Sequence, residues 1–364
     1  MKLGNICSIT GGYAFDSRKM KSKGEYQIIK MGNLYNGVLD LTRNPSFIDN
    51  PTKKELEYLI HKNDILITLT GTVNKKDYGY TVQLNNPNNL LLNQRCALIK
   101  PLNINEKYLF YLLNSNNFFK QFYASSTGGT GNQTNVSIND MLNFNMYIAN
   151  EKNQIIISEF LNKIDQRIET QIKIIDSIKS QKQQIRNILF NDIHQTPNCC
   201  VQDYVAYEQP QKYIVHDSNY LPYSKVLIPV LTANQSFILG YTSENDGVYK
   251  KGDCIIFDDF TNESKYVNFP FKVKSSALKI LQTKEGLLLK FFYEYLQFLN
   301  FEAINHKRHY LSEVAITEIN VPDLKKQSYV CKVLSSVDIK LKNEEIILKN
   351  YKLQKHFLLA NLFV

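Results

Sequence analysis

Two stretches of the chain carry apolar residues in alternating steps of three and four. Between residues 151 and 190 one seam position reads Leu161, Ile168, Ile175, Lys182, Leu189, and the other reads Ile157, Ile164, Gln171, Ile178, Ile185. Between residues 324 and 363 the same two positions read Leu334, Leu341, Leu348, Lys355, Leu362 and Val330, Val337, Glu344, Tyr351, Leu358. This spacing gathers the apolar side chains on one stripe of a helix, and a 3.5-residue repeat kept over several heptads favours a coiled coil. The two stretches align without a gap at an offset of 173 residues, with identities at Lys152, Gln154, Leu161, Asp165, Ile174, Lys179, Gln181, Lys182, Leu189 and Phe190. Both interrupt the stripe at the same places, Gln171/Glu344 and Lys182/Lys355. Polar seam residues weaken packing but restrict register and partner.

The matched interruptions predict that the two helices pack on each other. The expected seam is Leu161, Ile164, Ile168, Ile175 and Ile178 against Leu334, Val337, Leu341, Leu348 and Tyr351. A length of some 30–35 residues, about 45–50 Å, is expected for each, a spacer's dimension.

The segment before each helix is α/β in texture. In the first, "YQIIKMGNLYNG", "NDILITLTGTVN" and "QRCALIKP" are strand candidates closed by turn residues. "EKYLFYLLNSNNFFKQFYAS" has helical spacing, "STGGTGNQTNVS" reads as a polar loop, and "FNMYI" as a strand leading into the spacer. The second follows the same order: "VLIPVLTANQSFILGYTSE", "KGDCIIFDDFT" and "ALKILQT" as strands, "EGLLLKFFYEYLQFLNFE" as a helix, "AINHKRHYLSE" as a basic loop and "ITEINVP" as a strand. The expected architecture is two α/β (α+β) domains in tandem on two long antiparallel helices, with an internal pseudo-two-fold repeat. The expected borders are 1–150, 151–195, 196–322 and 323–364.

Charge sharpens the picture. The 364 residues carry a net +9, and 43% hydrophobic content fits a folded chain. Residues 1–190 hold 23 basic and 15 acidic groups, a net +8, against 20 and 19 in the remainder. An anionic partner is expected, with nucleic acid the natural candidate. No signal peptide opens at Met1 and no long apolar run is present, so a cytoplasmic address and no membrane association are expected. The six cysteines lack paired spacing and read as reduced thiols.

Nothing in the chain reads as a catalytic motif. "GGTGNQT" lacks the Lys-Ser/Thr of a P-loop and follows a helix. Cys199, Cys200 and His194 make a poor zinc set, because adjacent cysteines do not easily share tetrahedral geometry. Asp258 and Asp259 point to opposite faces if they lie in a strand, so a strand end or turn is the better reading. His306 and His309 belong to a basic loop. No catalytic residue and no metal site is expected.

At this point the sequence resembles the DNA-specificity (S) subunits of type I restriction–modification enzymes, over nearly the whole chain. "KLGNICSITGGYAF", "IIKMGNL", "DILITLTGT" and "LLLNQRCALIKP" look like the family's first target-recognition domain. "TGGTGNQTNVSINDMLNFNMYI" resembles the return to its helix, and "YEQPQKYIV", "IPVLTANQSFILGYT" and "GDCIIFDDFT" look like a second such domain. The second half is barely basic, and "NVPDLKKQ" has a proline that "YIANEKNQ" lacks.

The resemblance implies a non-catalytic subunit that reads a split sequence in double-stranded DNA, one half-site per domain, with the helices fixing the gap. It implies two modification subunits docked on the helices, carrying S-adenosylmethionine and methylating adenines, with restriction and motor subunits joining them. No cofactor is expected on this chain. Base and phosphate contacts are expected from Arg18, Lys19, Lys21, Thr130, Asn132, Gln133 and Asn135, and from Gln209, Lys212, Asn234, Gln235, Lys307 and Arg308. The competing reading is a coiled-coil scaffold with two protein-binding domains, which would show no salt-dependent DNA affinity. A third is an enzyme, such as a nuclease, with an unfamiliar site.

Overall fold

The computed structural model describes residues 1–35, 37–128, 132–217, 219–224, 226–232, 237–302 and 308–363. The predicted spacers are two uninterrupted helices, a central rod Glu151–His194 and a terminal rod Leu324–Asn361. At 44 and 38 residues they are longer than the 30–35 expected, about 66 and 57 Å. The apolar stripe begins only at Ile157 and Val330, inside the helix starts at Glu151 and Leu324. The helices run on because their outer turns dock on the globular parts.

Contacts divide the chain into two units, Met1–Ile172 with Ile347–Val364, and Lys173–Ile346. Each contains a globular head, one half of the central rod and the opposite half of the terminal rod, so the rods run antiparallel.

In the first unit, an antiparallel sheet runs in the order Cys7–Gly11, Cys96–Pro101, Ile65–Thr68, Thr81–Gln83. A smaller sheet pairs Tyr26–Ile29 antiparallel with Phe47–Ile48 and parallel with Leu90–Leu92. The core joins Ile65, Ile67 and Ile99 to Leu109, Leu112, Phe118 and Phe122, and reaches the rods at Leu161 and Phe363. The second unit repeats the plan. Its sheet runs Val205–Glu208, Leu278–Thr283, Cys254–Asp258, Ser264–Val267, and Ile228–Leu231 pairs antiparallel with Ile238–Thr242 and parallel with Lys272–Val273. Its core meets the rods at Phe190, Val330 and Leu334.

Three local expectations are corrected. Residues 106–125 form two helices, Glu106–Leu112 and Asn116–Ala124, because the Ser115 hydroxyl accepts from Phe118 N (3.2 Å) and caps a new helix. The polar loop 126–137 contains a short hairpin, Thr127–Gly128 against Gln133–Asn135, which extends the Thr70–Thr72 strand into a three-stranded sheet. "FNMYI" is no strand; it makes one bridge, Asn145 to Lys2, after a short helix Ile138–Leu142 capped by Ser137. In the second head, residues 303–307 of the basic loop lie outside the described residues, and Tyr310–Val314 makes a π-helical turn. Asp258 and Asp259 end a strand as expected: Asp258 Oδ1 accepts from the amides of Phe260 and Thr261, and Asp259 Oδ1 from that of Tyr310.

The 173-residue repeat has a physical meaning in each unit. Lys355 Nζ lies 2.6 Å from Asp165 Oδ1 in the first, and Lys182 Nζ lies 2.6 Å from Asp338 Oδ1 in the second, so equivalent residues make equivalent ion pairs. The heads join the rods by an equivalent device. Gln154 Oε1 accepts from Asn105 N (3.0 Å) and its amide donates to Ala149 O (2.8 Å). Gln327 Oε1 accepts from Leu288 N (2.8 Å) and its amide donates to Pro322 O (2.8 Å). Each buried glutamine thereby satisfies an amide at the start of a head helix, where no intrahelical partner exists. Pro322 lies before its rod begins and offers only its carbonyl, so the proline absent from the first copy costs nothing there.

The two joints differ at one matched position. Tyr111 donates to Asp165 Oδ2 (2.9 Å), and burial together with that carboxylate pushes its hydroxyl pKa far up. The equivalent residue, six past the helix cap in both heads, is Glu294. It is fully buried, takes Lys182 at 3.0 Å on one oxygen and is gripped by Arg186 Nε and Nη2 at 3.0 and 2.8 Å on the other. Arg186 corresponds to Leu359, which packs against the first core.

Two outcomes follow. Glu294→Ala strands Arg186 and is expected to cost roughly 3 kcal/mol in denaturant unfolding, while Glu294→Tyr combined with Arg186→Leu, the first unit's pairing, recovers most of it. A double variant no better than Glu294→Ala contradicts this account. Separately, burial would raise the Glu244 pKa, but the hydrogen bond from the fully buried Lys272 (2.5 Å) and those from the amides of Asp217 and His216 outweigh it and hold it at about 2. A lowered carboxylate pKa stabilises the fold above its ordinary value of 4.5, and that stabilisation is lost as pH falls toward 2. Acid titration of wild type against Glu244→Gln is expected to show the variant less stable at neutral pH and flatter across that window.

Candidate nucleic-acid interface

The polar loops named from the sequence fall on distinct parts of the heads. Asp16, at the N-cap of the Ser17–Lys19 turn, accepts from Arg18 N and is held by the Arg18 guanidinium at 2.9 Å; those hydrogen bonds keep its carboxyl below the usual range. Lys21 pairs with Asp49 at 2.8 Å, and Lys19 is exposed beside them. This turn borders the small sheet, where Lys21 bridges Phe47.

Asn132, Gln133 and Asn135 belong elsewhere, on the return hairpin, and all three are exposed. Asn132 O accepts from Val73 N (3.3 Å), and Asn135 Oδ1 accepts from Thr70 Oγ1 (3.0 Å). Thr130 lies outside the described residues. The Arg18 group and the hairpin group therefore rest on different sheets of the first head, and no hydrogen bond or ion pair among the described residues links them.

In the second head Gln209 is half-buried beside the Pro210–Tyr213 turn, and its Oε1 has no hydrogen-bond partner among the described residues. Lys212 is exposed on that turn. Arg308 is exposed where the return segment re-enters the described chain. Asn234, Gln235 and Lys307 lie outside the described residues. The two return segments make one matching backbone bond: Val136 N donates to Leu69 O (3.1 Å) in the first head, and His309 N, 173 residues on, donates to Asp259 O (2.9 Å) in the second. Arg308 thus takes the place of Asn135. Two residues on, the Tyr310 ring packs edge-on against that of Tyr207, which is two-fifths exposed with Lys279 Nζ 5.0 Å from its ring centre.

On the rods, Leu161, Ile164, Ile175, Ile178 and Leu334 are buried, and Ile168, Val337, Leu341, Leu348 and Tyr351 are half-buried. What the sequence did not reveal is the joint. Gln154 and Asp165 stood among the residues repeated at 173, the available signal, but their partners in the heads come from positions with no matching repeat.

No three His, Cys, Asp or Glu among the described residues converge to hold a metal. Cys199 and Cys200 form a short strand against Glu318–Ile319, and His194 Nδ1 lies 2.9 Å from Tyr295 Oη. All six cysteines are unbridged, and burial pushes the thiols of Cys7, Cys96 and Cys254 up to about 12, which keeps them protonated and unreactive. No helix among the described residues is long and apolar enough to cross a membrane.

Comparison with known proteins agrees with this geometry. Residues 1–180 match the family described as "Type I restriction modification DNA specificity domain". A segment of 122 residues is 44% identical to the specificity subunit of the type I restriction enzyme EcoR124I/EcoR124II of Escherichia coli, covering 32% of this chain and 30% of that relative. The fold of the whole chain is similar to the crystal structure of the S subunit of a type I restriction–modification system from M. genitalium, with a TM-score of 0.56, 16% identity, and 100% of this chain and 95% of that one covered. A second structure, from a study of complex assembly and conformational transition of the type I R-M system, gives 0.55 at 13% identity, covering 99% and 95%. By the family match, residues 1–180 belong to the type I restriction–modification DNA-specificity domain family, and the chain shares its fold from end to end with a solved S subunit.

Proposed function

We propose that this chain directs a type I restriction–modification enzyme to a bipartite sequence in double-stranded DNA. Each head reads one half-site, and the paired rods set the number of base pairs between. Chemistry belongs to the partners: two modification subunits carrying S-adenosylmethionine methylate adenines at the bound site, and restriction and motor subunits act on unmodified DNA. The chain itself holds no catalytic residue or cofactor and works in the cytoplasm, where the DNA is.

The observation that carries this reading is the repeated joint, Gln154 with Asp165–Lys355 in one unit and Gln327 with Asp338–Lys182 in the other. A scaffold for two unrelated proteins gives no reason to attach both heads through the same residues. A reader of DNA does, since two half-sites about one helical turn apart present themselves to matched surfaces some 34 Å apart. The return segments share one backbone bond and differ in side chains, which suits two different half-sites: amides at Asn132, Gln133 and Asn135 can pair with adenine edges, and Arg308 with guanine.

The test is adenine-methylation mapping across the host genome with the gene present and deleted. Deletion is expected to abolish methylation at one split motif and leave all others untouched. An unchanged methylome in a strain that expresses the protein rules the proposal out.

A further inference from the structure

The first head contains a cleft that the loops singled out from the sequence only border. After the Thr70–Thr72 strand the chain turns sharply through Asn74, Lys75, Lys76 and Asp77. Asn74 adopts a left-handed backbone (φ 61°), and a Cβ on Gly71 would come within 2.3 Å of the Tyr78 ring, so the turn folds tightly onto its own strand. Opposite lies the helix Asn116–Ala124. Its residues Asn116, Phe119, Lys120 and Tyr123 share one face at helical spacing. The return hairpin, bonded to the turn through Asn132 O and Val73 N, lies alongside.

Two adjoining hollows of about 350 and 560 Å³ result. Lys75 and Lys76 line the first with Ser126 and Thr134, and Lys76 and Lys120 line the second. Lys76 Nζ rests 5.3 Å from the Tyr123 ring centre, and that ring stacks on Phe119 at 5.8 Å and 17°.

These lysines gather around one cleft and are not neutralised there. Among the described residues no carboxylate lies within 4.0 Å of Lys75, Lys76 or Lys120, whereas Arg18 and Lys21 are each spent on an aspartate. The nearby Asp77 carboxylate faces inward and accepts from Thr72 N (2.8 Å) and Thr72 Oγ1 (2.7 Å). The hydroxyls of Tyr78, Ser126 and Thr134 form a hydrogen-bonded chain along the wall. The corresponding turn of the second head reads Phe260, Thr261, Asn262, Glu263, without a lysine, which matches the uneven charge of the two halves.

We infer that this cleft receives the phosphate backbone of duplex DNA, and that Lys75, Lys76 and Lys120 supply most of the first head's electrostatic attraction while the Arg18–Lys21 turn supplies little. The inference rests on the proposed DNA reading and assigns it a surface. Charge complementarity selects the occupant: three ammonium groups without a carboxylate partner beside a hairpin of exposed amides suit a polyanion whose bases the hairpin can reach.

The test uses the full chain assembled with its modification subunits and a fluorescent duplex bearing the mapped target. Binding is followed by anisotropy from low to moderate salt. Lys75→Ala/Lys76→Ala/Lys120→Ala is expected to weaken binding and reduce the slope of log K against log salt by about 2–3, near 0.9 for each phosphate left without its lysine. Lys75→Arg/Lys76→Arg/Lys120→Arg is expected to keep the wild-type slope. Arg18→Ala/Lys19→Ala/Lys21→Ala, which removes the same charge, is expected to change it by less than about 1. The inference is overturned if the alanine triple keeps the full slope, including the case in which it loses a partner subunit instead, or if the Arg18 triple loses as much. Wild-type assembly without salt-dependent affinity for the duplex overturns the DNA reading itself, a result distinct from either.

Discussion

Everything in this chain is organised around an antiparallel seam in which a lysine on one rod meets an aspartate on the other, made twice. Sequence positions 173 apart supply both pairs, Asp165 with Lys355 and Lys182 with Asp338, at the same 2.6 Å. A partly buried pair of this kind adds little net stability by itself. Its value is in register. Displacing one rod by a heptad leaves apolar residues facing apolar residues over much of the seam, but it parts Lys182 from Asp338 and brings Lys355 opposite Ser158 or Ile172 in place of Asp165. The apolar stripe therefore holds the rods together, and the two ion pairs determine where they stop.

From that register the placement of each head follows. Gln154 and Gln327 sit one turn inside their rods and grip the first amide of a head helix, so each head is fixed to its own rod at a matched point. Beyond the joint the heads are free to diverge, and they do. Tyr111 serves where Glu294 serves, hydrophobic packing at Leu359 replaces the Arg186 guanidinium, and a lysine-bearing turn stands where the other head has Phe260 and Glu263. The frame repeats and the surfaces do not.

The frame was legible in the sequence because it obeys a strict period. Seam residues, their interruptions and the 173-residue offset are all one-dimensional facts, and the main strands and the Leu289–Leu299 helix show in apolar runs closed by turns. Rod length was underestimated, since the outer turns are held by the heads and carry no heptad signal of their own. The single helix expected over 106–125 failed at Ser115, where a local cap overrides continuous apolar spacing, and the polar loop at 126–137 hid a hairpin whose partner strand is some 60 residues away. The candidate interface was the least legible. Arg18 and Lys21 looked available, but the aspartates that occupy them, above all Asp49, become neighbours only on folding. Lys75 and Lys76 stand more than 40 residues from Lys120 in sequence, and only the fold brings them around one cleft.

The seam and its function are tested together by charge reversal at the first unit's pair. Lys355→Asp places two carboxylates side by side where one pair held the register, and Asp165→Lys on the same chain restores opposite charges with the order exchanged. Genome-wide methyladenine mapping of strains carrying each form is the direct measurement. The account predicts that the single variant loses methylation of the split motif and that the double variant recovers the same motif. Full methylation by the single variant, or none by a soluble, folded double variant, would contradict it.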